Sequence, residues 1–386
     1  GILVVALIAS IAVIAADALF PALTVEEQIR AQVLELEFSE ALLEGMLGLL
    51  LFAGALHVKL SDLRKAWRVI LLMATLGVGL STAVVGLGFS WVTGMPLIVA
   101  LVFGALISPT DPVAVLGVLR ETQLQKSLET KIAGESLFND GVGYVVFLVL
   151  VGLAFPEGDG HGTGLADAAI LFVREALGGA LLGLVLGWLT FRVMRRIDDY
   201  ALEVLITRGG GGGGEELGGG REGEGKRREG GEGGGRGERG SREGRGEERG
   251  SYVESFWKLV DEILNAVLFL MIGFEVFAVA FELDFLISGV MATVLALLAR
   301  LVAVAVPVLM LKPFRAFSKG VIPIMTWGGL KGGISVALAL SLPDSEWKPL
   351  ILTTTYIVVV FSIIVQGLTV TRLAERFGRA PELPHT

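Results

Sequence analysis

Long apolar runs separated by short polar connections form the pattern of this chain. A helix that crosses a bilayer needs about 20 mostly apolar residues, and many windows reach that length. The predicted spans are 1–20, 40–57, 67–90, 95–119, 128–153, 165–193, 256–281, 285–311, 320–342 and 348–371. Neither a signal peptide nor a single anchor explains so many runs. The pattern predicts an all-α polytopic membrane protein.

Basic residues fall at alternate connections between these spans. Lys and Arg clusters follow the second, fourth and sixth spans, whereas the connections after the first, third and fifth are acidic or uncharged. The alternation resumes in the second half and ends on Arg372, Arg376 and Arg379. Because cytoplasmic loops are enriched in Lys and Arg, we expect a multi-pass protein with a cytoplasmic C-terminus.

A tract of Gly, Glu and Arg, residues 208–250, separates a first membrane half (1–207) from a second (251–386). Such a composition buries no core and spans no bilayer, so we expect this tract to be disordered. Both flanking connections are cytoplasmic by charge, so whatever the tract replaces crosses the membrane an even number of times. Two interpretations stay open: a natural disordered loop, or a helical pair that was replaced or frame-shifted.

Composition excludes several kinds of site. The sequence has no cysteine, which excludes disulfides, zinc–cysteine sites and thiol chemistry, and it has three histidines, which argues against a histidine-rich metal site. The glycine-rich tract does not lie between a strand and a helix, so it is no phosphate-binding fingerprint. Its arginines are balanced by glutamates, which argues against nucleic acid as a partner.

The fourth span is interrupted in mid-membrane by Ser-Pro-Thr-Asp-Pro at 108–112. The two prolines remove two backbone donors and disfavour helix before each of them. Irregular backbone at that depth survives only where it lines a cavity or is buried in protein. Its freed carbonyls serve as cation ligands in transporters. Thr110 and Asp111, inside the break, are therefore candidate residues of an ion site.

Two polar stripes run along the fifth span. Ser136 and Asp140 lie four residues apart on one helical face, and Glu135 and Asn139 lie four apart on the adjacent face. A charged carboxylate at the bilayer centre costs at least about 2.5 to 3.5 kcal/mol. Asp140 has no basic residue within a turn, so it is suited to hold either a cation or a proton. Competition between the two is the simplest exchange mechanism; a buried hydrogen-bond anchor is the structural alternative.

A second helix break is predicted in the ninth span, where four glycines surround Lys331. An ionised Glu135 needs a cationic partner, so we predict a Lys331–Glu135 pair with a mainly structural role. Arg300 in the eighth span is interpreted as a structural hydrogen-bond hub, with gating of a cavity as the alternative. Two broken spans, each followed by the next span in the same order, are typical of an inverted-repeat transporter whose broken helices cross at the ion site.

Three motifs in sequence order extend this hypothesis: Ser-Pro-Thr-Asp-Pro-Val-Ala-Val at 108–115, Gly-Glu-Ser-Leu-Phe-Asn-Asp-Gly at 134–141 and Trp-Gly-Gly-Leu-Lys-Gly-Gly-Ile-Ser-Val-Ala-Leu at 327–338. Together they resemble the cation:proton antiporter-1 family, specifically bacterial NhaP-type sodium/proton antiporters. The resemblance covers nearly the whole chain except 208–250. It implies a transporter, not an enzyme, which exchanges Na⁺ for H⁺ across the bacterial inner membrane and uses no cofactor.

The resemblance also implies roles for individual residues. The implied Na⁺ ligands are Asp140, Ser136 and the main chain of Thr110, with Asp111 reaching the ion through water. The implied structural polar cluster consists of Glu135, Asn139 and Lys331. The Asn139–Asp140 pair, in place of two aspartates, implies electroneutral one-for-one exchange.

Three departures from the family pattern bear on these expectations. The family generally carries arginine where this chain has Lys331, and lysine keeps the charge but lacks the planar fork. Glu44 lies toward the outer end of its span, so the glutamate ligand that some members add is not carried over. Where this chain has 208–250, the family has two spans, which belong to its dimerisation domain. With these two spans and a lost first helix, the complete relative would have thirteen spans. We therefore expect a complete ion site and a damaged homodimer scaffold.

Other functions stay open at this point. K⁺ or Li⁺ is the near alternative to Na⁺ as the exchanged cation. An inactive remnant with an intact core is another alternative. A sodium-coupled solute symporter is a third, although the sequence shows no feature for an organic substrate.

Overall fold

The computed structural model describes residues 60–111, 126–156, 165–194 and 283–377 apart from 316, 318 and 319, with Val5, Leu49 and scattered positions between 256 and 270. The regular elements of these ranges are helical. In the first half they are α1 (Leu60–Thr93), α2 (Leu97–Ile107), α3 (Lys126–Ala154) and α4 (Leu165–Met194). In the second half they are α5 (Leu283–Leu311), α6 (Val321–Trp327), α7 (Gly333–Leu340), α8 (Lys348–Phe361), a π-helical segment (Ser362–Gln366) and α9 (Gly367–Phe377).

Four helical runs in the described ranges have the length and hydropathy to cross a membrane. They are Leu63–Thr93, Leu128–Ala154, Asp284–Leu311 and the continuous run Lys348–Phe377. The predicted spans 1–20, 40–57 and 256–281, the tract 208–250 and the second half of the fourth span lie wholly or mostly outside the described residues. The division of the chain into two membrane halves stays a prediction.

Two helices end where their sequences disfavour helix. α2 ends at Ile107, directly before Ser108 and Pro109, because proline has no N–H with which to continue the ladder. The ninth span is interrupted between α6, which ends at Trp327, and α7, which begins at Gly333. Residues 328–332 between them include three glycines, whose backbone freedom makes helix costly. The second half of the fourth span lies outside the described residues, so the crossing of two broken helices stays a prediction.

The helices pack around α1, which contacts α2, α3 and α5. One apolar cluster joins α2 to α1, α3, α7 and α8, and a second joins α6 and α9 to α1, α3 and α5. α2 lies close against α1, since a Cβ at Gly104 would be 2.4 Å from the carbonyl oxygen of Thr82. This close approach holds α2 against α1 about one turn before α2 ends.

Candidate cation site

The break after α2 begins with a capped helix end. Ser108 donates from its N–H to the Ala105 carbonyl at 3.1 Å and from Oγ to the Gly104 carbonyl at 2.9 Å. Its Oγ also lies 3.2 Å from Oγ1 of Thr82 on α1. Ser108 and Thr110 are buried, with 4% and 1% of their surface exposed. The chain therefore leaves the helix inside the protein, where its polar groups need protein partners.

Four neighbouring polar side chains of α3 are buried together. They are Glu135, Ser136, Asn139 and Asp140. Their four-residue spacings place them on one side of the helix, as the two predicted stripes require. Buried polar groups need hydrogen-bond partners. The partners of these four side chains therefore show which oxygen atoms are available to bind an ion.

Thr110, Ser136 and Asn139 form a hydrogen-bonded group that joins α3 to the break. Oγ1 of Thr110 lies 3.0 Å from Oγ of Ser136 and accepts a hydrogen bond from Nδ2 of Asn139 at 2.8 Å. The N–H of Thr110 donates to Oδ1 of Asn139 at 3.4 Å. The Asn139 amide thus holds both the main chain and the side chain of Thr110.

Asp140 lies beside this group with an unsatisfied oxygen. Its side chain is 4% exposed, and its Oδ1 has no hydrogen-bond partner among the described residues. The carboxyl group is next to the main chain of Thr110, and the charges of Asp111, Glu135 and Lys331 act on it. A buried acceptor without a partner costs about 1–3 kcal/mol. A bound cation would coordinate this oxygen, and a bound proton would instead remove the negative charge of the carboxylate.

Asp111 lies against the other break. Its N–H donates to the carbonyl of Leu330 at 2.8 Å. A Cβ at Gly332 would be 2.8 Å from Cβ and 2.9 Å from Oδ2 of Asp111, so any larger residue at 332 would displace this carboxylate. The segment that directly follows α2 is therefore in contact with the ninth-span break.

The predicted Lys331–Glu135 pair is wrong, because Glu135 pairs with Arg300 on α5. Nη1 and Nη2 of Arg300 donate to Oε1 and Oε2 of Glu135 at 2.5 and 2.6 Å. Nε of Arg300 donates to the carbonyl of Met325 on α6 at 3.1 Å. The planar guanidinium matches both carboxylate oxygens at once, which an ammonium group cannot do. Arg300 thereby links α3, α5 and α6 through one side chain.

Lys331 instead binds the carbonyl groups that the fourth-span break leaves free. Its Nζ donates to the carbonyl oxygens of Ser108 at 2.9 Å and Pro109 at 3.2 Å, and its side chain is buried. Two of the carbonyls expected to face a cation are therefore occupied by a fixed ammonium group. Asp140, Ser136 and Thr110 stay the predicted ligands of the ion.

Replacing Lys331 with Met should lower the free energy of unfolding by about 1.5–3 kcal/mol, because hydrogen bonds from a charged donor to two buried carbonyls are lost. Lys331→Arg retains the charge and should retain more of the stability. Thermal melting in detergent measures both. Lys348→Met is the control, because Lys348 makes only a surface pair with Asp344, expected to contribute about 0–1 kcal/mol. Equal melting temperatures for Lys331→Met and the parent would contradict this account.

The interpretation of Arg300 as a structural hydrogen-bond hub is confirmed by its hydrogen bonds to Glu135 and Met325, although Glu135 was not predicted as its partner. Two further residues that contact this assembly, Ser362 and Gln366, were not predicted from the sequence. Ser362 accepts from the N–H of Lys331 at 2.7 Å, and Gln366 donates to the carbonyl of Trp327 at 3.0 Å. Their signal is a pair of polar side chains four apart in the last apolar run.

Comparison with known proteins agrees with this architecture. The protein shares its fold with the solved sodium proton antiporter MjNhaP1 of Methanocaldococcus jannaschii at pH 8, with a TM-score of 0.65 over 98% of this chain and 100% of that chain at 17% identity. This similarity confirms the predicted all-helical antiporter fold.

Sequence comparison extends the likeness. The chain is 42% identical over 388 residues to the Na⁺/H⁺ antiporter NhaP of Pseudomonas aeruginosa, covering 97% of this chain and 90% of the relative. It is 32% identical over 349 residues to the Na⁺/H⁺ antiporter NhaH of Halobacillus aidingensis, covering 89% and 84%. The family model described as "Sodium/hydrogen exchanger, transmembrane" matches residues 2–208 and 239–376, leaving out part of the Gly, Glu and Arg tract. The chain therefore belongs to the sodium/hydrogen exchanger family, as its three motifs indicate.

Proposed function

We propose that this protein exchanges Na⁺ for H⁺ across the membrane by letting both ions compete for Asp140. The observation that carries the proposal is the buried Oδ1 of Asp140, which has no partner among the described residues. In one half of the proposed cycle the Asp140 carboxylate binds a proton, and in the other half it binds Na⁺. Na⁺ and H⁺ are the cargo, and we propose no cofactor.

The donor set around Asp140 suits a hard monovalent cation. Carboxylate, hydroxyl and carbonyl oxygens are the ligands that discontinuous helices offer to Na⁺ in transporters. The main chain of Thr110 is next to the Asp140 carboxyl group, and Oγ of Ser136 lies 3.0 Å from Oγ1 of Thr110, so Ser136 and the main chain of Thr110 are the proposed further ligands of an ion held by Asp140. The family resemblance implies that Asp111, whose side chain lies against Gly332, would contribute through water.

The exchange is proposed to be electroneutral. Asn139 supplies an amide where a second aspartate would add a second titrating group. That amide is already engaged, since Nδ2 donates to Oε1 of Glu135 at 3.1 Å as well as to Thr110. Glu135 is itself neutralised by Arg300. Asp140 is then the carboxylate that changes its proton during one-for-one exchange.

The membrane setting is proposed on two grounds. Basic residues at alternate connections support a C-terminus in the cytoplasm, and the family resemblance supports the bacterial inner membrane. The family resemblance supports a homodimer. The tract 208–250 stands where the dimer scaffold is expected, so the monomeric state is the alternative.

The purified protein in liposomes with a trapped pH-sensitive dye tests this function. We expect addition of NaCl to reverse an imposed acid-inside gradient, with KCl and LiCl as parallel additions that rank the cations. Empty liposomes are the control for leak. A correctly inserted protein that gives no Na⁺-dependent signal between about pH 6 and pH 9, the range in which proton competition should show, would refute exchange by this chain.

A further inference from the structure

The last membrane run contains a π-helical segment, Ser362–Gln366, between α8 and α9. π-helical turns are rare and frequently occur at functional sites. Both polar residues at its ends are buried, Ser362 with 0% and Gln366 with 3% of their surface exposed. Buried polar side chains in an apolar run need partners, so their contacts indicate what the segment does.

Both side chains bind the main chain of the ninth-span break. Oγ of Ser362 accepts a hydrogen bond from the N–H of Lys331 at 2.7 Å. Nε2 of Gln366 donates to the carbonyl of Trp327, the last residue of α6, at 3.0 Å. Helix ends leave main-chain groups without intrahelical partners. The π-helical segment therefore supplies partners at both ends of the break.

The first half of the chain contains an equivalent contact. There the N–H of Thr110 donates to Oδ1 of Asn139 on α3, which belongs to the following predicted span. In the second half the N–H of Lys331 donates to Ser362 in the run Lys348–Phe377, which follows the ninth span. In each half a polar side chain of the following span thus binds a main-chain N–H of the interrupted span, and Ser362 is the second-half counterpart of Asn139.

Lys331 connects this segment to the ion site. Its N–H is held by Ser362, while its Nζ holds the carbonyls of Ser108 and Pro109. Its neighbour Leu330 accepts the N–H of Asp111. A shift of the ninth-span break would therefore move the main chain on both sides of Thr110.

We propose that Ser362 and Gln366 are positioning residues of the cation site, which fix the ninth-span break and through Lys331 the placement of Thr110 and Asp111. This inference rests on the proposed function. It differs from a role in folding alone, because a mispositioned ligand weakens Na⁺ binding even in a protein that remains folded.

The test compares Ser362→Ala with the parent in Na⁺-dependent exchange by reconstituted protein. Loss of one hydrogen bond in the positioning contact should raise the apparent KM for Na⁺ about fivefold to tenfold, with the maximal rate changed by less than about twofold. Gln366→Met should raise KM in the same direction. Ser362→Thr, which keeps the hydroxyl, should restore the parent value.

Thr354→Val is the matched control. Thr354 is fully buried on α8 in the same membrane run, and its Oγ1 has no hydrogen-bond partner among the described residues. Its replacement removes a buried hydroxyl without removing a contact to the break, so the apparent KM should stay at the parent value. Melting temperatures of all variants, with and without Na⁺, show whether each is folded and binds the ion.

An apparent KM in Ser362→Ala and Gln366→Met within about twofold of the parent would overturn the positioning role. Lower melting temperatures with unchanged KM would also overturn it, because the contacts would then be structural only. A parent protein with neither exchange nor a Na⁺-dependent melting shift refutes the proposed function itself. The result for the parent thus tests the proposed function, and the results for the variants test the positioning role separately.

Discussion

Replacement of Asp140 with Asn is expected to abolish both Na⁺/H⁺ exchange and Na⁺ binding. The amide keeps the size of the side chain, but it neither ionises nor releases a proton. The lost attraction between a carboxylate and a cation about 4 Å apart is about 4 kcal/mol at an effective dielectric of 20, which corresponds to about a thousandfold weaker binding. Dye-reported exchange in liposomes and Na⁺-dependent melting measure the two losses separately.

Asp344→Asn is the control for this experiment. Asp344 is a fully exposed carboxylate that pairs with Lys348 at the surface, so the same chemical change there should leave exchange unaffected. Exchange by Asp140→Asn at the rate of the parent would place the ion elsewhere and refute the site.

Replacement of Arg300 with Met should have the largest effect on stability. Removing one partner of a buried ion pair leaves an uncompensated charge and costs about 3–5 kcal/mol. Here the orphaned group would be Glu135, which is 2% exposed and receives two donors from Arg300. The double variant Glu135→Gln with Arg300→Met removes the charge as well and should recover much of the loss. Thermal melting of the purified proteins measures each step.

Arg315→Met is the matched control, because Arg315 is exposed and contacts the carbonyl of Lys65 at the surface. It should change the free energy of unfolding by less than about 0.5 kcal/mol. A double variant no more stable than Arg300→Met alone would show that the pair is not the source of the effect.

Local features of the site were predictable from sequence, because they depend on spacing. The prolines of the fourth span predict the end of α2, and the four-residue spacings predict that Ser136, Asn139 and Asp140 share one side of α3. These features require no knowledge of the neighbouring helices, so pattern alone is sufficient.

The choice of ion-pair partner was not predictable in this way. Arg300 and Lys331 are both lone cations in apolar spans, and Glu135 is 165 positions from Arg300 in sequence. Shape decides between them: the guanidinium fork fits the carboxylate, and the single ammonium group fits two carbonyls of a helix break. The π-helical segment at Ser362 was not predictable either, because a local change in helical winding does not alter the apolar pattern of the sequence.

Counting the protons released when Na⁺ binds is the most direct test of competition at Asp140. Titration calorimetry of the purified protein in two buffers with different ionisation enthalpies gives this number. At a pH where the Na⁺-free site is protonated, linkage predicts about one proton released per Na⁺ bound, and none from Asp140→Asn, which should bind no Na⁺. Na⁺ binding by the parent without proton release at any pH would contradict the account.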